Sequence, residues 1–180
     1  MRDQMQAETD RHHDAQRRKR LAGRAQMPDA LSELGAYLRG CAAYLTSEVD
    51  ALPVEPTGAI SALKEVIEFI DDGAAERTFE LVSWYQVFRA RMPHGIRAPD
   101  KAEFADRQWD AVLLQAYVNS LFEYARNEAD DVDTSKPSRE EMIDALKNVF
   151  TLVYMTQHEE HFVQVKKIIE RRHELRRSTK

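Results

Sequence analysis

The chain has a single cysteine, Cys41, so no internal disulfide can form and a disulfide-stapled scaffold is excluded. Nothing in it resembles a secretory leader, and a reducing, cytoplasmic compartment is therefore expected. Glycine and proline occur only six times each among 180 residues, and 32% of the residues are charged; that combination suits helices with heavily charged outer faces. No apolar run approaches the roughly 18 to 20 residues that a membrane-spanning helix needs. The densest, Asn148 to Met155, is bounded by polar residues on both sides. Glycine-rich phosphate loops, Walker patterns and a nucleophile-elbow serine are also missing. The 43% of hydrophobic residues are enough, at this length, for one domain whose core needs no cofactor to fold.

The formal charge of −5 hides an asymmetry. Residues 1–24 hold seven Lys/Arg against four Asp/Glu, a net of +3, and residues 166–180 hold seven against two, a net of +5, leaving −13 for the stretch between. An acidic body argues against a nucleic-acid groove across the domain. Arg17, Arg18, Lys19 and Arg20 at one end, with Arg171, Arg172, Arg176 and Arg177 at the other, are the candidate contacts to an anionic surface. The competing reading is that both runs stay solvated or neutralise the acidic body.

Hydrophobic periodicity predicts an all-α fold, a single bundle of about five or six helices, with residues 1–26 as a polar, basic arm and residues 27–177 as the bundle. The arm carries no sustained apolar stripe. Pro28 and Asp29 are expected to open the first bundle helix, whose stripe is Leu31, Leu34, Leu38, Cys41, Leu45, Val49 and Leu52; Pro53 and Pro56 end it. Further stripes run through Ile60, Leu63, Val66, Ile67 and Ile70, through Phe79, Val82, Tyr85 and Phe88, and from Phe104 to Tyr124. Met92, Pro93, His94, Gly95 and Pro99 mark a break. Ser138 followed by Glu141 is a capping-box pattern. The stripe beyond it, Met142 to Val153 and then Phe162 to Leu175, slips phase near Thr156 to His158 and fits one bent helix or two. No stretch alternates with a period of two, so strands are not expected.

Each constellation that could carry chemistry fails on spacing or setting. His158 and His161 stand three apart, where the zinc-protease pattern requires four with a Glu between. Glu170 and His173 make only one of the Glu/His pairs that a di-iron bundle uses, and Arg171 and Arg172 beside them suit solvent. Glu65, Glu68 and Asp72 read as a hydrated face opposite their stripe. Asp131, Asp133 and Ser135 resemble the start of a calcium loop, but Lys136 and Met142 stand where Gly and Glu are required. Cys41 sits on an apolar stripe, as a small hydrophobe rather than a nucleophile. Trp84, Tyr85 and Phe88 beside Arg89 and Arg91 mix aromatics with cations, yet at helical spacing next to Val82 they read as core.

Two segments resemble a group of uncharacterised bacterial proteins with an N-terminal membrane anchor, a charged stalk and a helical cytoplasmic domain. One is Ala25 to Leu45, with Pro-Asp-Ala-Leu-Ser-Glu-Leu preceded by Arg-Arg-Lys-Arg; the other is Ala62 to Arg91, ending in Tyr-Gln-Val-Phe-Arg-Ala-Arg. The resemblance carries no site residues, and the spanning helix is not in this sequence; it implies that the basic arm is a stalk at the lipid surface. The leading expectation is a non-enzymatic helical domain on the cytoplasmic side that binds a protein partner or itself, held near the membrane by its basic ends, with no catalytic, cofactor or metal residues and no small-molecule substrate. The alternatives are a nucleic-acid-binding regulator using the basic termini and a metal-dependent helical enzyme built on His158, His161, Glu170 or His173.

Overall fold

The computed structural model describes residues 2–92 and 101–178, with the side chains of residues 6, 8, 10–92 and 104–175. Among them the fold is all-α, with helices α1 (Arg2–Leu45), α2 (Thr57–Val66), α3 (Asp72–Arg91), α4 (Lys101–Ala125), α5 (Arg139–Val149), α6 (Leu152–Gln157) and α7 (Glu159–Ser178). None of these helices is long and apolar enough to cross a membrane.

The central element is α4. Residues 108–118 are buried without interruption, because α1, α3, α5 and α7 all pack on it, and a helix enclosed on all sides loses the amphipathic stripe that a surface helix needs. Three polar residues, Gln108, Asp110 and Gln115, are buried with the apolar ones. Helix α1 runs antiparallel to α4, with Arg24 at Tyr124 and Gly35 against Gln115. Its Leu31, Leu34, Leu38 and Cys41 are fully enclosed, as their spacing predicts, and burying each leucine contributes roughly 1.5–3 kcal/mol.

Pro28 does not open a helix. It lies inside α1, which continues through it for 44 residues, about 66 Å at the α-helical rise. The missing Pro28 N–H leaves the Arg24 carbonyl without its helical donor, but Gly23, Arg24 and Met27 before it and Ala30 and Leu31 after it are all buried, and the helix continues as one element. Residues 10–22 stand exposed, so the polar arm is the first part of a helix whose second part is core.

Both α1 and α4 stop in the same way. Ser47 and Asn127 adopt left-handed backbone conformations, and paired bonds close each end, Ser47 N–H to Tyr44 O and Glu48 N–H to Ala43 O in one, Asn127 N–H to Tyr124 O and Glu128 N–H to Glu123 O in the other. This is the Schellman arrangement. The α1 stripe therefore ends before Val49, which is exposed. At the start of α5 the capping box forms as its sequence predicts, with Ser138 and Glu141 exchanging side-chain bonds to backbone N–H groups. The stretch from 138 onward breaks twice, at Phe150–Thr151 and at His158, into three helices. Of the expected break between Met92 and Pro99, Met92 caps α3 and residues 93–99 lie outside the described residues.

Candidate functional site

The basic run of the arm is partly consumed by the fold. Arg20 pairs with Asp71 at 2.9 Å, and Lys19 lies over the Phe69 ring. The Tyr124 hydroxyl accepts the Asp71 backbone N–H and donates to its carboxylate at 2.7 Å; burial pushes that phenol up to about 12. Arg24, buried, donates to the Tyr124 and Ala129 carbonyls and covers the Tyr124 ring at 4.0 Å. At the other terminus Arg172 reaches Asp106 at 2.7 Å and stacks on Trp109 at 3.9 Å. The Asp71–Tyr124 and Asp106 anchor points are eighteen residues apart on α4, about 27 Å. Arg17, Arg18 and Arg171 remain exposed; the side chains of Arg176 and Arg177 lie outside the described residues.

His158 and His161 do not converge with Glu170. His161 Nδ1 lies 2.6 Å from the Tyr154 hydroxyl, and its ring stacks with His158 and meets Phe104 edge-on. Glu170 is held by Arg139 at 2.8 Å, nine residues further along α7, about 14 Å from His161. Among the described residues no group of three or more His, Cys, Asp or Glu is placed to hold a metal ion. Cys41 is enclosed, and burial pushes its thiol up to about 12, which leaves too little thiolate for nucleophilic chemistry.

One cleft, about 410 Å³, lies between α3, α4, α5 and the 126–138 connection. Its floor is Arg77, 2% exposed, and five carboxylates (Glu123, Asp131, Asp133, Glu141 and Asp144) surround it. Arg77 donates to the carbonyls of Asp133 and Ser135 and to Glu80, and its guanidinium covers the Tyr117 ring. Asp133 is held below the ordinary carboxylate range by the Ser135 backbone N–H. Gly73 closes the same region: a Cβ there would lie 2.8 Å from the Val132 carbonyl, so the connection packs directly on the first turn of α3. The arrangement is an anchor for the 126–138 segment.

A larger cleft, about 670 Å³, opens between the end of α3, the first half of α4 and α7. Both tryptophans of the chain line it, together with Met92 and with Arg91, Arg107 and Arg172. Trp109 is buried in the body and Trp84 is half-buried at the wall. Arg91 pairs with Asp110 at 2.9 Å; the carboxylate side chain is 4% exposed and the guanidinium 54%. Cations therefore face the mouth while one of their counter-charges is buried. Tyr85 and Phe88 are core, as their spacing predicts; Trp84 is half-buried and packs against the core at the wall of the cleft.

Burial holds the Asp110 carboxyl above its ordinary value of 3.8, against the hydrogen bond and charge of Arg91. A carboxyl whose value is raised on folding retains its proton more readily in the folded chain, so its contribution to stability declines as pH rises from about 4. Asp110→Asn is expected to raise Tm at pH 7 and leave it unchanged at pH 3; a loss at pH 7 that is absent at pH 3 would show that the Arg91 pair outweighs desolvation.

The chain matches no family model, no curated protein and no solved structure.

Proposed function

We propose that this chain is a non-enzymatic, cytoplasmic protein-interaction module that binds a partner segment in the cleft between α3, α4 and α7. The observation that carries this reading is that both tryptophans line one cleft with Met92 and three arginines. Trp, Met and Arg are the residues enriched where protein interfaces concentrate their energy. Arg91 and Arg172 each bond a carboxylate through one terminal nitrogen, and a guanidinium carries five donors. The fitting partner segment has an aromatic or aliphatic anchor for the Trp84 wall and a neighbouring carboxylate for the two guanidinium groups.

The two indole N–H resonances are built-in reporters. Titration with an array of peptides pairing Phe, Trp or Leu with Asp or Glu should shift both indoles for a subset. Trp84→Ala should weaken that subset roughly 30-fold, the size expected of a hot-spot residue, in a variant that stays folded by circular dichroism. An array in which no peptide moves either indole, or binding that survives Trp84→Ala, would sink the reading. Anionic vesicles and duplex DNA serve as the other arms: signals confined to Arg17, Arg18 and Arg171 would favour the anionic-surface alternative.

A further inference from the structure

Helix α7 is attached unlike the other long helices. Of its described side chains only Val165 and Ile169 are buried. The remaining attachment is the partly buried Phe162 and Ile168 and a set of polar and ring contacts: Arg172 with Asp106 and Trp109, Glu170 with Arg139, and His161 with Tyr154 and Phe104. Every one of those body groups would receive the same helix equally well from a second molecule.

The connection to α6 is a single residue. His158 has φ −129° and ψ 49°, so one change of backbone conformation, to helical values, joins α6 and α7 into a continuous helix over residues 152–178. Such a helix is about 40 Å long and carries α7 away from its own body. Short hinges favour exchange because the closed path leaves them no slack. Two further observations point the same way. Leu152 and Val153 on α6 are 74% and 62% exposed, and Val163 is exposed as well; Leu152 and Val163, eleven residues and three turns apart, fall on one face of the straightened helix, where two copies crossing at this point cover one another. The basic C-terminal stretch, +5 over residues 166–180, also complements the −13 body of a second copy.

We propose that two copies of this chain exchange α7, so that each Trp84/Trp109 cleft is completed by Arg172 of a second copy. Exchange of an identical element makes a symmetric dimer from contacts already present in the monomer. The inference does not depend on what the cleft binds.

The test uses the full chain. Incubation at high concentration should yield dimers by light scattering that persist on dilution. A D106C chain mixed with an R172C chain should then give a cross-linked pair with a short bismaleimide; buried Cys41 stays unreacted. Straightening the hinge with His158→Ala should raise the dimer fraction at least tenfold, and inserting three glycines after Gln157 should return the chain to monomer. Monomers at every concentration in both the parent and a folded His158→Ala variant, or dimers in which the D106C and R172C chains do not cross-link to each other, would overturn the proposal. Should His158→Ala fail to fold, the glycine insertion and the mixed cross-link decide alone.

Discussion

Arg77→Ala is expected to destabilise the chain by about 3–5 kcal/mol, the cost of removing one side of a buried, charged hydrogen-bond set. At this chain length that corresponds to a fall in Tm of about 10 °C. The guanidinium is 2% exposed and bonds two loop carbonyls, Asp133 and Ser135, as well as Glu80, while stacking on Tyr117. With alanine the carbonyls face a void, and the five carboxylates around the cleft lose the cation that, among the described residues, lines it with them. Arg77→Met, which keeps most of the volume, should recover only part of the loss, since the acceptors stay unmatched. Denaturant unfolding measures the energy, and hydrogen exchange measures where it is lost: residues 126–138 should exchange faster than the rest. A variant that melts within about 2 °C of the parent, well inside the shift expected at this size, would show that water replaces the guanidinium at little cost.

Arg24→Ala is expected to cost about 2–4 kcal/mol, through loss of three hydrogen bonds and a desolvated cation–ring contact. The acceptors are carbonyls at the end of α4, Tyr124, and just beyond it, Ala129. The Tyr124 carbonyl accepts the Asn127 N–H of the Schellman turn, and Arg24 adds charged donors to it from a hundred residues away. Arg24→Lys should not restore the parent, because an ammonium cannot bond both carbonyls and lie flat on the Tyr124 ring at once. The double variant with Arg77→Ala should lose less than the sum of the two, as both arginines hold the same segment after α4; additive losses would mean that the two anchors act on independent units.

These arginines also show where sequence reasoning stops. Arg24 looks like the last residue of a basic, solvated arm, and Arg77 like one charge among Asp, Glu and Thr at the start of α3. Their carbonyl partners lie 56 to 105 positions away, in a loop with no periodic signal or at a helix end, so nothing local distinguishes them from surface cations. The cleft is similar. Trp84 and Arg91 are legible as an aromatic–cation cluster, but Trp109, Asp110 and Arg172 belong to other stripes, and only the packing of α7 across α4 brings them together. In the opposite direction, Val49, Phe79, Val153 and Leu175 lie on apolar stripes yet are exposed, because a stripe says which side of a helix is apolar and not how far along the helix a neighbour extends.

By itself the sequence determined the helical class, the enclosed face of each main helix, the capping box at Ser138, the inert setting of Cys41 and the absence of a spanning helix among those described. Each of these depends on interactions within a few residues or on the 3.6-residue period, which the order of residues states directly. Only the tertiary structure decided that α1 passes through Pro28, that Lys19, Arg20 and Arg24 are spent on Phe69, Asp71 and Tyr124, and that both tryptophans share a cleft with three arginines. Those outcomes depend on which distant groups desolvate a charge or cover a ring, and burial of that kind is a property of the assembled helices rather than of any one of them.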